Sequence, residues 1–353
     1  MSLRRDIVIA GGGVAGSTLA YEAARRGFKV VFYDRARVYR KACGDAVTLR
    51  PGVQELVEKT GSILTRVSRF QVAVNGRSIA ETVVRPAPWI IVDKAALVNG
   101  LREMAVSEGA EFNHGEWRGE RGEYTVDARG PYSWGLKREY TVYVYRWIAE
   151  APGSWPPDTV LLDFDLKRLG FFWVFPASGD GSKVNIGGGF YRVWKLAEVK
   201  RELRDYAARL LGSYRILDER GAPIAIKAPV SLASDGVLRV GEAAGLILST
   251  AGEGNRPGMM SAMALAEALA NGEGVSGYRR RLSRLLSEVR TSRILLRMVE
   301  AGGDMERVFE SLPAWFWRDY FTSNVTMKTL ARILVSKPGL MGAAVRALSA
   351  SRT

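Results

Sequence analysis

Apolar positions along the chain follow two periods, and their alternation lays out the elements. Ile7, Val8 and Ile9 form a β-branched run of the kind shown by a strand buried on both faces. A small-residue stretch then predicts a helix from about Val14 to Arg26, with Gly27 just past its end. "KVVFYD" reads as a second strand that ends at Asp34. "KAALVNGLREMAVSEG" (94–109) places Ala95, Val98, Leu101 and Ala105 on one helical face, suited to packing on a parallel sheet. Elsewhere the period is two. "RFQVAVNGRSIAETVV" predicts a hairpin turning at Asn75-Gly76. "EYTVYVYRWIAE" predicts a strand with one apolar-aromatic face, and "GFFWVFPASGDGSKVNIGGG" an aromatic strand, a turn and a return strand. "TVDARGPYS" and "GVLRV" read as strands that run into glycine turns. Residues 276–353 return to helical spacing, with breaks at Gly302-Gly303, Pro313 and Pro338.

Composition narrows the function classes. With 353 residues, about two domains are expected. No apolar run approaches the ~18 to 20 residues of a membrane helix, and the chain enters its first strand without a signal-peptide pattern. A single cysteine, Cys43, excludes an internal disulfide, and a single histidine, His114, argues against a His-built metal site; no metal is expected. His114 itself reads as a strand-end residue. The chain reads as cytoplasmic. Its two glutamines, Gln54 and Gln71, fit a thermophile-like bias. The net charge is +14, and residues 275–353 hold fourteen Lys/Arg against six Asp/Glu. A basic surface suits an anionic membrane, an acidic protein or a solvated helical face. Nucleic acid is not expected, because no recognised motif accompanies the charge.

The most specific stretch is "DIVIAGGGVAGSTLAYEAARRGFKVVFYDR". Gly11, Gly13 and Gly16 have G-x-G-x-x-G spacing between a strand and a helix. Gly11 permits the tight turn, Gly13 lets the backbone approach a pyrophosphate, and Gly16 allows close helix–strand packing. The helix N-terminus at Val14 and Ala15 points backbone N–H groups at phosphates. Asp34, at the end of the second strand, stands where the ribose-binding acid is expected, and it favours FAD or NAD over a 2′-phosphorylated dinucleotide.

Three later segments, with the glycine triad, resemble the geranylgeranyl reductase family within the para-hydroxybenzoate hydroxylase-like class of FAD-dependent oxidoreductases. They are "DARG" (127–130), "FFWVFP" (171–176) against the family's Y-x-W-x-F-P, and "GEAAG…GEG" (241–254) against its G-D-A-A-G…G-x-G. "CGD" (43–45) and "IVDKAAL" (91–97) also match. The resemblance covers about residues 5–272. Glu242 stands where an Asp is usual, Lys94 replaces an Arg, Phe171 replaces a Tyr, and Asn255 follows the last glycine.

The resemblance implies an α/β chain, α+β overall: a Rossmann-like FAD-binding domain, an inserted, mostly antiparallel substrate domain and a helical C-terminal tail. The expected FAD-binding domain is discontinuous, using 1–60, 86–135 and 230–275. The substrate domain would use 61–85 and 136–229, and the tail 276–353. FAD would be held by Gly11, Gly13, Val14, Ala15, Gly16, Asp34, Arg35, Cys43, Gly44, Asp45, Lys94, Ala128, Gly130, Gly241, Glu242, Gly252, Gly254 and Asn255. Phe171, Trp173, Phe175 and Pro176 would line the substrate.

The activity implied is reduction of isolated double bonds in a geranylgeranyl chain of a membrane lipid or its precursor. Such an alkene is not electrophilic, so partial protonation would precede hydride from reduced flavin N5. Aromatic faces can stabilise the developing cation by ~0.5 to 2 kcal/mol. Cys43 is one candidate proton donor, since a free thiol is mostly protonated at neutral pH; the alternative is a buried filler. Asp45 is the rival acid, provided its pKa is raised. A flavin monooxygenase acting on an aromatic or lipid substrate, and a non-catalytic flavin-binding protein, are the competing readings. Either ferredoxin or NAD(P)H would supply electrons. "LPAWFWRDYF" (312–321) has two readings: a helix with its aromatics in the core, or an interfacial foot making peripheral membrane contact.

Overall fold

The computed structural model describes residues 6–340 and 342, apart from 40, 134, 152, 154, 192–194 and 303. Its first sheet has six strands, in the order Ala233–Ser234, Val237–Arg239, Tyr124–Asp127, Asp6–Ala10, Lys29–Asp34 and Glu111–His114. All pairs are parallel except the outermost hairpin. Asp6–Ala10 lies in the middle, and from Ile7 to Ala10 it is buried, as its β-branched run predicts. Helix Val14–Ala24 follows it directly. That helix ends two residues before the position expected from sequence, because Gly27 takes the left-handed backbone (φ 86°) past a short terminal turn. His114 is an exposed strand end, as expected.

A seven-stranded sheet forms the other half, in the order Arg215–Ile224, Val142–Glu150, Lys183–Phe190, Gly170–Pro176, Thr159–Asp165, Arg69–Val74 and Arg77–Val83. It is antiparallel apart from the pairing of Thr159–Asp165 with Arg69–Val74. The hairpin turns at Asn75 (φ 51°) and Gly76 (φ 83°), the left-handed pair a two-residue turn requires. A small antiparallel sheet of Ala46–Thr48, Trp89–Val92 and Ile63–Val67 sits between the two large ones.

Three local expectations are corrected. Strand Val142–Glu150 has two buried faces rather than one. Tyr145, Trp147 and Ala149 pack under helix Leu196–Leu211, whereas Val142 and Val144 face the other core. That covering helix was not foreseen, although Val199, Leu203, Tyr206 and Ala207 are spaced for one buried face. Helix Lys94–Ser107 packs mainly on helix Val14–Ala24 and the small sheet, not flat on the parallel sheet; Leu97 takes the buried place expected for Ala95.

The C-terminal region is helical, with segments Gly274–Arg281, Ser283–Glu300, Met305–Glu310, Ala314–Phe321 and Met327–Ser336. Gly302 (φ 76°), Pro313 and Pro338 fall at the breaks, as predicted. Gly303, and residue 341 with 343–353, lie outside the described residues. Among the described residues no helix is long and apolar enough to cross a membrane.

Candidate active site

The first two glycines of the triad, Gly11 and Gly13, line a cleft of about 440 Å³. A side chain at Gly16 would put its Cβ 1.8 Å from the Gly11 carbonyl oxygen, so only glycine lets the helix start this close to the strand. Gly16 therefore serves packing and does not line the cleft. Gly11, Gly13, Val14 and Ala15 do line it, and no side chain caps the helix N-terminus, so its N–H groups remain for a ligand. Asp34 closes one end. Its Oδ2 accepts from the Gly12 N–H at 3.0 Å and pairs with Arg102 at 2.9 Å; its Oδ1 accepts from the Ala36 N–H at 2.8 Å. Arg102 is buried, and it also donates to the Gly12 carbonyl at 2.9 Å. It thus fixes the glycine loop and the acid together. Arg35 lies at the mouth with its guanidinium 6.0 Å from the Tyr132 ring.

The opposite wall is built by two turns. Asp127 accepts from the Arg129 N–H (3.1 Å), from the Arg129 guanidinium (3.0 and 2.8 Å) and from Ser133 (2.8 Å). These bonds fold the turn that brings Ala128 and Gly130 to the cleft. Gly241, Glu242, Gly252, Gly254 and Asn255 complete the wall, where helix Asn255–Ala270 presents a second N-terminus without a side-chain cap. The longer acid is accommodated by partners: Glu242 pairs with Lys41 at 2.5 Å and accepts from the Ala225 N–H at 2.7 Å. Lys94 is buried against Asn255, and burial pushes its ammonium below the ordinary lysine range. Two uncapped helix ends, a close backbone approach at Gly13 and a strand-end acid fit an elongated dinucleotide.

This cleft meets an apolar cavity of about 200 Å³, and Cys43, Ile224 and Gly252 border both. Phe171, Trp173 and Phe175 alternate on one face of their strand and line the cavity. Pro176 does not; it ends the strand opposite Val184. Two glycines make room for these rings. A Cβ on Gly187 would fall 2.1 Å from the Trp173 ring. Gly44 is similarly close to Phe175, at 2.6 Å.

The C-terminal helices supply the remaining wall. Phe316, Trp317 and Phe321 are buried, and Phe316, Trp317 and Tyr320 line the cavity. Of the two readings of "LPAWFWRDYF", the structure adopts the core one. The helix is tied to the glycine-rich loop: Tyr320 donates to the Thr250 carbonyl at 3.0 Å, and Ser323 to Glu253 at 3.2 Å. Glu253 in turn pairs with fully buried Arg256 (3.1 Å), which also holds Glu288 (2.8 Å). Arg50 donates to the Thr322 and Ser323 carbonyls, at 3.0 and 3.1 Å.

The two candidate acids occupy different places. Cys43 Sγ stands at the junction and accepts from the Asp45 N–H (3.3 Å) and weakly from Asn255 Nδ2 (3.7 Å). Asp45 lines neither cavity. It lies buried behind Cys43 in a left-handed conformation (φ 62°), and its Oδ2 accepts from Asn185 Nδ2 at 2.9 Å. Asn185 also donates to the Cys43 carbonyl (2.9 Å) and accepts from Trp173 Nε1 (3.0 Å). Burial, opposed by Arg146, Lys94 and Arg220, raises the Asp45 carboxyl to about 6. Direct contact with a cofactor or substrate at Asp45, expected from sequence, is therefore replaced by a place one layer back. Lys41, Arg102 and Asn185 were missed. They belong to the site through partners far away in sequence.

Fold and cleft together define a Rossmann-type dinucleotide-binding protein, and the residues of the cleft fit FAD. Residues 9–69 match the NAD(P)-binding Rossmann-like domain family. A menaquinone reductase of Mycolicibacterium smegmatis is 29% identical over an alignment covering 82% of this chain and 81% of that one. A geranylgeranyl diphosphate reductase of Rhodobacter capsulatus is 27% identical over 71% of each. A geranylgeranyl bacteriochlorophyll reductase-like structure from Thermoplasma acidophilum has a TM-score of 0.75 at 17% identity, covering 96% of this chain and 98% of that one. The structure of a flavin-dependent brominase has a TM-score of 0.65 at 14% identity, covering 99% and 98%. This likeness is one of fold.

Proposed function

We propose that the chain is an FAD-dependent reductase of isolated double bonds in isoprenoid chains. The observation that supports this best is the character of the cavity at the Cys43 junction: among the described residues no charged side chain lines it, and nine aromatic rings (Phe164, Phe171, Trp173, Phe175, Tyr191, Phe309, Phe316, Trp317 and Tyr320) do. A carboxylated aromatic substrate would be left without a counter-charge there, whereas an alkene chain needs none. When bound, FAD supplies the hydride.

The protein's own contributions follow from position. Gly13, the two helix ends, Asp34 and Lys94 would hold the dinucleotide in the cleft that Cys43 borders. Cys43, at the junction, would donate its Sγ proton to one alkene carbon, leaving the other carbon of the double bond to accept the hydride. The Phe171, Trp173 and Phe175 faces stabilise the positive charge that develops between the two events. Trp173 is fixed for this by its bond to Asn185. Apolar walls exclude water that would capture a cation. Reduced ferredoxin and NAD(P)H are both compatible donors. The basic exterior is compatible with an anionic membrane, but Phe316, Trp317 and Phe321 of the aromatic segment are buried in the core.

The test is anaerobic turnover. FAD-loaded protein is reduced with dithionite and given a geranylgeranylated glycerolipid, and the lipid mass is followed. Stepwise addition of hydrogen pairs supports the reading, and Cys43→Ser should then lower the rate without loss of flavin. Unchanged mass with a fully reduced flavin refutes it. Because a brominase shares the fold, the same lipid under oxygen tests the second reading, oxygen-dependent modification.

A further inference from the structure

A third cavity, of about 330 Å³, adjoins the apolar one, and Tyr191 and Leu296 border both. Its other walls are polar: Lys227, Arg293, Arg297 and Glu300, with Glu139 and Tyr140. Arg293 and Arg297 stand one turn apart on helix Ser283–Glu300, whose Leu295, Leu296, Met298 and Val299 face the apolar cavity. One helix therefore presents an apolar wall to the first space and two cations to the second.

The cations lack counter-charges. Among the described residues neither Arg293 nor Arg297 pairs with a carboxylate. Arg293 spends one terminal nitrogen on the Gly245 carbonyl (2.8 Å) and the Ala228 carbonyl, and its buried Nε has no partner. Glu300 is engaged by Lys227, and Glu139 is exposed beside Lys137. Burial first, and the Arg297 cation second, push the Arg293 guanidinium down to about 10. Two adjacent cations in a partly enclosed space are unfavourable unless an anion joins them.

We propose that this cavity seats an anionic head group, a phosphate or diphosphate, whose apolar chain occupies the neighbouring aromatic cavity. The assignment rests on the reductase reading, in that it takes the chain in the aromatic cavity to be the reacting one. Arg293 and Arg297 supply charge-assisted hydrogen bonds to the head. Lys227, with Nζ 3.5 Å from the Tyr191 ring centroid, stands at the passage between the two spaces. Ile224 borders the cofactor cleft, Ile226 the apolar cavity and Lys227 the head pocket, so one short turn of chain touches all three. A neutral-headed chain, such as a quinone, would leave both arginines unpaired and should be selected against.

The experiment measures binding of geranyl phosphate and of geraniol to oxidised, FAD-loaded protein by calorimetry. No reduction occurs in that state, so failure of the alkene chemistry leaves this test intact. Geranyl phosphate is expected to bind at least about tenfold more tightly than geraniol. Arg297→Gln should remove most of that contrast while geraniol binding and the flavin spectrum stay as they were; Arg293→Lys, which keeps the charge, should retain part of it. Inorganic phosphate, run as competitor, should act only at far higher concentration. Equal binding of the two probes, a contrast that survives Arg297→Gln, or inorganic phosphate as potent as geranyl phosphate each overturns the head-group assignment.

Discussion

Asp45 should make the folded protein less stable as pH rises, and Asp45→Asn should abolish that loss. In the fold its Oδ1 has no hydrogen-bond partner, and burial moves the carboxyl from 3.8 to about 6. Between those values the folded protein holds a proton that the unfolded chain has released. Stability therefore falls as pH rises through this window and stays lowered above it. A window roughly two pH units wide, at ~1.4 kcal/mol per unit, gives about 3 kcal/mol. Asparagine has the same shape, tolerates the left-handed backbone and carries no charge. Urea unfolding of both proteins from pH 4 to pH 8 isolates the effect, since every other titrating group is common to the pair. The variant should match the parent near pH 4 and exceed it by up to about 3 kcal/mol near pH 8. Parallel stability curves would show that Asp45 is ionised in the fold and that its surroundings compensate the charge.

Other substitutions probe separate parts of the site. Gly16→Ala, with its Cβ 1.8 Å from the Gly11 carbonyl oxygen, should force helix and strand apart and abolish flavin retention, read from the visible absorbance of purified protein. Gly44→Ala should drive the Phe175 ring into the apolar cavity at a cost of about 1 to 3 kcal/mol, raising KM for a long-chain substrate more than it lowers flavin content. Arg256→Met leaves Glu253 buried without its cation and Glu288 with only Arg284, and should destabilise by about 3 to 5 kcal/mol in urea unfolding.

What the sequence made legible was local. Strand, glycine triad, helix and Asp34 lie within thirty residues of one another, and each position has a steric or electrostatic reason that survives out of context. The Phe171, Trp173 and Phe175 alternation was equally readable, because a strand's period places all three on one face. What escaped were pairs made by folding. Lys41 meets Glu242 across 201 positions, and Asn185 reaches Asp45 across 140. Neither lysine nor asparagine carries a periodic signal that announces such a partner. Helix Leu196–Leu211 is a different kind of miss, since its spacing was present but embedded in a stretch dominated by strands. The aromatic segment 312–321 had two physically sound homes, and only the cavity that it closes decides between them.

The cleft walls also impose a schedule on synthesis. Gly11 to Cys43 emerge early, Ala128 to Tyr132 midway, and Gly241 to Gly258 only after two-thirds of the chain has been made. Strand Val237–Arg239 must still join the sheet beside Tyr124–Asp127, and Arg50 must wait for the carbonyls of Thr322 and Ser323. A nascent chain halted near residue 230 therefore carries the full glycine fingerprint yet should not retain flavin. Loading of the cofactor therefore waits for residues 241–258 to join the cleft, and until then the half-made parallel sheet has an open edge that other chains can pair with.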